Sequence, residues 1–178
     1  MILPINKLRT VSLAMIIGLL LGCNSNRNVK IQLPPRNAVV DTTDGQQYIA
    51  IIKYDEDKPD IKLSPEEMHV IDSLLKIAVD EYNRNTKQWM KENKITVKSE
   101  SELRRYIINL RYYKRQYVAY LNTKGRREVY INCFCINDFE DEWKERVVEV
   151  EDGGRCFFRV WIDLDGKSYF NFGTNGWA

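Results

Sequence analysis

Four cysteines are the most reactive side chains in this 178-residue sequence, and they fall into two settings. Cys23 closes the run Leu20-Leu21-Gly22-Cys23 at the end of a short apolar stretch. A thiol placed there, directly behind a small residue, matches a lipobox, at which a bacterial prolipoprotein is acylated on cysteine and cut just before it. Cys133, Cys135 and Cys156 lie far downstream. Cys133 and Cys135 share one face if their segment is a strand, because strand side chains alternate. A zinc centre takes four ligands, usually from C-x2–4-C units, so one C-x-C and a distant cysteine fall short and no metal is expected. Two readings remain. One is a disulfide from Cys156 to either Cys133 or Cys135 with a leftover buried thiol, which an oxidising compartment would preserve. The other is three reduced core cysteines.

Further candidate chemistry is sparse. Arg104, Arg105, Arg111, Lys114, Arg115, Lys124, Arg126 and Arg127 make the middle of the chain locally basic, interleaved with Tyr106, Tyr112, Tyr113, Tyr117 and Tyr120. Such interleaving can bind single-stranded nucleic acid or the sugars and phosphates of glycans. It also arises when period-two alternation leaves cations on a wet face and tyrosines half-buried. Tyr113, Arg115 and Tyr117 are the candidate partner contacts in this stretch. Asp163-Leu164-Asp165-Gly166 echoes the start of a calcium loop, but Ser168, Tyr169 and Phe170 add no carboxylates, so a hairpin turn is expected. Glu140, Asp141, Glu142 and Glu145 read as a solvated acidic loop. His69 is the one histidine and falls off the apolar stripe of its helix, and no nucleophile elbow, zincin, P-loop or dinucleotide motif is present. Catalytic residues are therefore not assigned, and no cofactor is expected.

The elements that precede Cys23 set the compartment. Lys7 and Arg9 form a positive n-region, followed by an apolar core over 11–21. That core is shorter than the ~20 residues of a membrane-spanning helix and matches a signal peptide. Cleavage removes residues 1–22 and leaves 178 − 22 = 156 residues, one domain's worth. Lys7 and Arg9 go with it, so 27 − 2 = 25 basic residues face 25 acidic ones and the formal +2 vanishes. Nothing in that balance calls for nucleic acid. An Asp after the cysteine would argue for inner-membrane retention; Asn24 does not, so a lipid (palmitate-type) anchor on Cys23 in the outer membrane is expected. Residues 23–38, polar and broken by Pro34 and Pro35, read as the lipidated cysteine and a flexible stalk, and 39–178 as the domain.

Within that domain, residues 39–54 are weakly strand-like and 55–60 form a charged loop. Ser64, Pro65 and Glu67 make a capping box with proline at the first helical position. Met68, Ile71, Leu75, Ala78, Val79 and Tyr82 then recur at helical spacing, predicting a helix over 65–85. A weaker helix is expected over 101–109. The period then changes to two, with strands expected at 112–121, 127–136, 145–151, 155–163 and 168–172, separated by glycine-containing turns. This predicts an α+β fold, one long helix packed on a curved antiparallel sheet of four to five strands. A strand at 145–151 opposes the Cys135–Cys156 bridge. In a plain meander the flanking strands run parallel, and residues at ~3.3 Å each part the cysteines beyond the ~7 Å a disulfide allows.

The order of elements resembles cystatin-like and NTF2-like folds, in which a curved sheet wraps a helix. The runs Tyr113-Lys114-Arg115-Gln116-Tyr117, Asn132-Cys133-Phe134-Cys135, Asp152-Gly153-Gly154-Arg155-Cys156-Phe157-Phe158 and Asn175-Gly176-Trp177-Ala178 also resemble a group of small lipoproteins of Bacteroidota-type bacteria. That group has no assigned activity, so the resemblance implies compartment and a single domain and carries over no site residue. The expected function is a lipid-anchored binding or interaction domain of the cell envelope, holding a partner protein or glycan. An inhibitor or immunity-type protein is the second class, from the cystatin-like order. A small NTF2-like enzyme is the third, and needs a carboxylate or His69 inside a cavity.

Overall fold

Ser64 starts the long helix as its neighbours dictate. In the computed structural model, which describes residues 48–54, 61–135 and 142–176, α1 spans Pro65–Glu92 and carries a complete capping box. The Glu67 amide donates to Ser64 Oγ (3.2 Å) and the Ser64 amide to Glu67 Oε2 (2.9 Å). Glu67 also binds Arg127 Nη1 at 2.6 Å, which fixes the helix start to the sheet. Cys23 with its lipobox, the signal and stalk boundaries, residues 39–47, the charged loop 55–60, and Glu140 and Asp141 lie outside the described residues.

α1 runs seven residues past the expected end at Asn85. Lys87, Gln88, Met90 and Lys91 are good helix formers, and the stop carries no glycine. Lys94 takes the left-handed position (φ 55°), the Ile95 amide reaches back to the Met90 carbonyl and the Lys94 amide to that of Lys91. That is a Schellman stop with lysine where glycine is usual. The expected helix over 101–109 contracts to one turn, α2 (Glu100–Leu103), capped by Ser99.

Five strands follow the chain in spatial order: β1 (Ile49–Ile52), β2 (Lys114–Leu121), β3 (Arg127–Phe134), β4 (Phe157–Asp163) and β5 (Ser168–Thr174). The last four pair antiparallel, as expected, while β1 pairs parallel with β2. The parallel pair follows from connectivity, because α1 lies between β1 and β2 and a helical crossover returns the chain in the same direction. The fold is thus α+β, an open mixed sheet with one long helix on it. Ile71, Leu74, Leu75, Ala78 and Val79 of α1 pack on Tyr117, Val129, Ile131, Val160 and Ile162 of the sheet. On the opposite face Ala50, Ile52, Val118, Phe134 and Phe157 are covered by Trp143, Val147, Val148 and Val150.

The strand expected at 145–151 does not form. Its alternating valines do pack on the sheet, but its backbone is held by two side-chain amides. Gln116 and Asn132 face each other in the β2–β3 register and are both buried. Gln116 Nε2 donates to the carbonyls of Trp143 and Arg146, both at 2.6 Å. Its Oε1 accepts from the Val148 amide (2.8 Å) and from Asn132 Nδ2 (2.9 Å). Asn132 Nδ2 also donates to the Val148 carbonyl at 2.8 Å. All four hydrogen-bonding positions of the Gln116 carboxamide are used.

With no strand between them, β3 and β4 pair directly. Phe134 opposes Phe157 in the last rung, so Cys135 and Cys156 meet next, with Cα atoms 5.0 Å apart and a disulfide between them. The Cys135 amide donates to the Cys156 carbonyl at 3.0 Å. The geometric objection to this bridge fails because the strand that would have separated the cysteines is absent. Cys133 is the buried free thiol.

Replacing Gln116 with leucine leaves the Trp143 and Arg146 carbonyls and the Val148 amide without their partner. We expect a loss of about 3 kcal/mol in denaturant unfolding, with hydrogen-exchange protection lost first at Val148. Lys94→Gly relieves the left-handed lysine and should stabilise by about 0.5–1 kcal/mol, read as a Tm rise of about 2–4 °C by calorimetry.

Candidate functional site

A helix of 28 residues is about 42 Å long, whereas strands of seven or eight residues span about 23–27 Å. α1 therefore overhangs the sheet, and its last turns need other support. Asn83 supplies it by clasping the backbone of Ile108. Its Nδ2 donates to the Ile108 carbonyl and its Oδ1 accepts the Ile108 amide, both at 2.7 Å. This lays the segment carrying Tyr106 beside the helix. The turn Gly154–Cys156 closes the third side. That turn begins at Gly153, whose φ of 91° suits glycine and whose place a Cβ would take only 2.6 Å from the Phe157 ring.

Between these three supports lies a groove of about 440 Å³, lined by Tyr82, Asn85, Thr86, Trp89, Tyr106 and Arg155. Small-ligand sites fall between about 300 and 1,000 Å³. Tyr82 is rooted in the core through Phe172, 5.2 Å away between ring centroids, and Phe172 stacks in turn on Phe158 at 5.4 Å. Trp89 is 50% exposed. The Arg155 guanidinium stands 5.6 Å from the Tyr106 ring centroid, within cation–π range. Its position is fixed from both sides: the Arg155 carbonyl accepts the Tyr113 hydroxyl at 2.9 Å, and the next residue is the disulfide half Cys156. None of the six lining side chains is a carboxylate, imidazole or thiol; the groove offers stacking faces, three hydroxyls, a carboxamide and a guanidinium.

The candidate contacts Tyr113, Arg115 and Tyr117 are elsewhere, and they are not a surface. Tyr113 is 6% exposed and Tyr117 is fully buried. β2 lies between β1 and β3 with α1 over one face, so Tyr117 and Ala119 point into the core rather than to water. The Tyr117 hydroxyl donates to Asp72 Oδ1 at 2.8 Å, and Arg115 Nη1 lies 3.6 Å from the same oxygen. Burial, then the Asp72 charge, holds the Tyr117 phenol well above its ordinary range. Burial pushes the Cys133 thiol up to about 12, so it stays protonated and inert. This cluster organises the core; a partner has no access to it.

The remaining candidates have structural partners. Asp163 is the one buried carboxylate among the described residues. It binds Arg126 and accepts the Gly166 amide at 2.9 Å, closing the β4–β5 hairpin. Asp165 accepts the Arg127 amide, so the Asp163–Gly166 segment is a hairpin turn. Glu142 pairs with Arg146 at the surface. Among the described residues no three His, Cys, Asp or Glu side chains gather as a metal site. A second aromatic set crosses the sheet face away from α1, where Tyr54 stacks on Tyr120, Tyr130 packs tilted against Trp161, and Trp161 stacks on Phe170. These are cross-strand pairs whose rings pack on one another. Trp89, by contrast, has no ring partner among the described residues.

Sequence reasoning placed Tyr82 on the helix stripe and Tyr106 among the tyrosines of the basic stretch, and missed the other four lining residues and the groove itself. Trp89 follows Tyr82 at i+7 and Thr86 at i+3, a signal that extending the helix would have exposed. Tyr106 and Arg155 reach the groove through the Asn83 clasp and the disulfide, which no local pattern announces. Comparison with protein-family models, curated proteins and solved structures finds no match to this chain.

Burial raises the phenols of Tyr113, Tyr117, Tyr120 and Tyr169 above the ordinary value of 10. Unfolding returns them to that value, so their contribution to stability is complete below pH 10 and is lost as the pH climbs above it. Alkaline titration of the ten tyrosines should therefore show an early group of phenolates, then a late group ionising together with loss of circular dichroism. A single transition centred near pH 10 with the fold intact would contradict it.

Proposed function

We propose that this protein is a bacterial envelope lipoprotein, acylated on Cys23 and held in the outer membrane, whose folded domain binds a ligand without transforming it. The anchor reading rests on Leu20-Leu21-Gly22-Cys23 behind a basic and then apolar leader. No helix among the described residues is long and apolar enough to cross a membrane; in this reading the acyl chains on Cys23 provide the attachment. Each buried CH₂ contributes about 0.8 kcal/mol, and two or more chains suffice for stable anchoring.

The binding reading rests on one observation. The overhang of α1 forms a groove of about 440 Å³ in which aromatic faces and hydrogen-bonding groups converge, with no carboxylate, imidazole or thiol among the described lining residues. Fixed walls of this kind select and hold a ligand, and their hydroxyls have no carboxylate or imidazole beside them in the described lining to activate one as a nucleophile.

Cys23→Ala should abolish metabolic labelling with an alkynyl palmitate analogue and prevent cleavage before residue 23. The full chain would then keep its uncleaved leader, readable as a mass higher by residues 1–22 and lower by the acyl groups. Undiminished labelling of the variant would refute the anchor.

A further inference from the structure

We propose that the groove at the overhang of α1 takes a neutral sugar ring of an envelope glycan, stacked on the Trp89 indole and the Tyr106 phenol, with Asn85, Thr86 and Arg155 hydrogen-bonding its hydroxyls. The proposal rests on the binding reading above and names the ligand of that same groove. A pyranose has an apolar C–H face and a rim of hydroxyls that both donate and accept. The groove offers the complement: three aromatic side chains, two of them phenols, one carboxamide that donates and accepts, the Thr86 hydroxyl and one guanidinium. A hydrocarbon ligand would desolvate the Asn85 carboxamide and the Thr86 hydroxyl without offering either a hydrogen bond, at a cost for each. A nucleic-acid strand would need a run of cations along its backbone. The groove holds one, already seated over Tyr106, and residues 23–178 balance 25 cations with 25 anions. An anionic ligand gains little from a single guanidinium. The volume suits one or two rings of a longer chain.

The tether supports the same occupant. Twenty-five residues, 24–48, separate the acylated cysteine from β1. At 3.3–3.6 Å per residue such a chain reaches at most about 80–90 Å. The domain is thereby confined to the layer beside the bilayer, within reach of envelope polysaccharide. Trp89 is the exposed element in that encounter: Tyr82 is backed by Phe172 and Tyr106 by Arg155, whereas half of the indole surface faces solvent.

The test uses the protein from residue 24 onward and three tetrasaccharide probes: β-1,4-linked glucose, β-1,4-linked N-acetylglucosamine, and galacturonate as the anionic control. Tryptophan fluorescence and isothermal calorimetry should show at least one neutral tetrasaccharide binding with Kd at or below about 1 mM. Trp89→Ala should weaken that binding at least about tenfold with Tm unchanged, because the side chain is half exposed and lies on the overhang. Trp89→Phe should restore part of it, and Thr86→Val should weaken it without changing the fluorescence response of Trp89. Three outcomes overturn the proposal. Preference for galacturonate removes the neutral sugar. Binding untouched by Trp89→Ala moves the sugar out of the groove. Failure of every tetrasaccharide, while native membranes yield a non-sugar ligand that the wild-type domain retains and Trp89→Ala releases, overturns the sugar and leaves the binding reading standing. If no probe and no native ligand is held, both fall.

Discussion

The carboxamide of Gln116 governs the path of the chain between β3 and β4. Segment 143–148 crosses the sheet face with its carbonyls and one amide committed to this side chain and to Asn132. It therefore cannot join a ladder, and no strand separates β3 from β4. Those two strands pair, Cys135 comes opposite Cys156, and the bridge closes the base of the excursion. The turn that follows sets Arg155 against Tyr106. One buried amide pair thus connects the sheet's covered face, its disulfide and the third wall of the groove. In a low-dielectric interior such a network is stabilising only when every member is satisfied, and here Gln116 uses each of its four positions.

The helix-facing core follows the same rule with ionisable groups. Asp72 lies between the Tyr117 hydroxyl and the Arg115 guanidinium, and Cys133 sits opposite Arg115 in the register. Each charge has a counter-charge or a hydrogen bond, and burial raises the phenols and the thiol away from neutrality. The phenols of Tyr113 and Tyr117 and the Cys133 thiol, which look reactive in the sequence, are therefore buried and unavailable. The aromatic and hydrogen-bonding side chains that line the groove stand instead where α1 runs out of sheet.

What the sequence disclosed depended on whether the signal was local. Ser64, Pro65 and Glu67 marked the helix start because a capping box closes within four residues. The helix end escaped because a lysine, rather than glycine, occupies the left-handed position at residue 94. β2 to β5 were legible from period-two alternation and glycine turns. The parallel pairing of β1 was not, since it is decided by the crossover through α1. Residues 145–151 carry valines at strand spacing, yet a glutamine thirty residues away overrules them. Tyr113 and Tyr117 looked like a half-wet face because alternation reveals which residues share a side, and not whether a helix covers it. The groove was least legible, with one wall from each of three elements brought together by Asn83 and by Cys135–Cys156.

Those three walls are also fixed independently, and this bears on how the groove works. The helix wall is held at its end by the Met90 and Lys91 carbonyls that accept the Ile95 and Lys94 amides. The Tyr106 wall is held by the double hydrogen bond of Asn83 to Ile108. The Arg155 wall is held by the disulfide and by the Tyr113 hydroxyl. A site whose sides are separately anchored loses little conformational freedom when a ligand enters, and the ordering cost that weakens shallow binding is correspondingly small. A half-exposed indole on a capped helix is the rigid, amphipathic surface that a weak polar ligand requires. The mismatch between a helix of about 42 Å and strands of about 23–27 Å thus does more than leave turns unsupported. It places aromatic surface outside the core, on a frame stiff enough to use it.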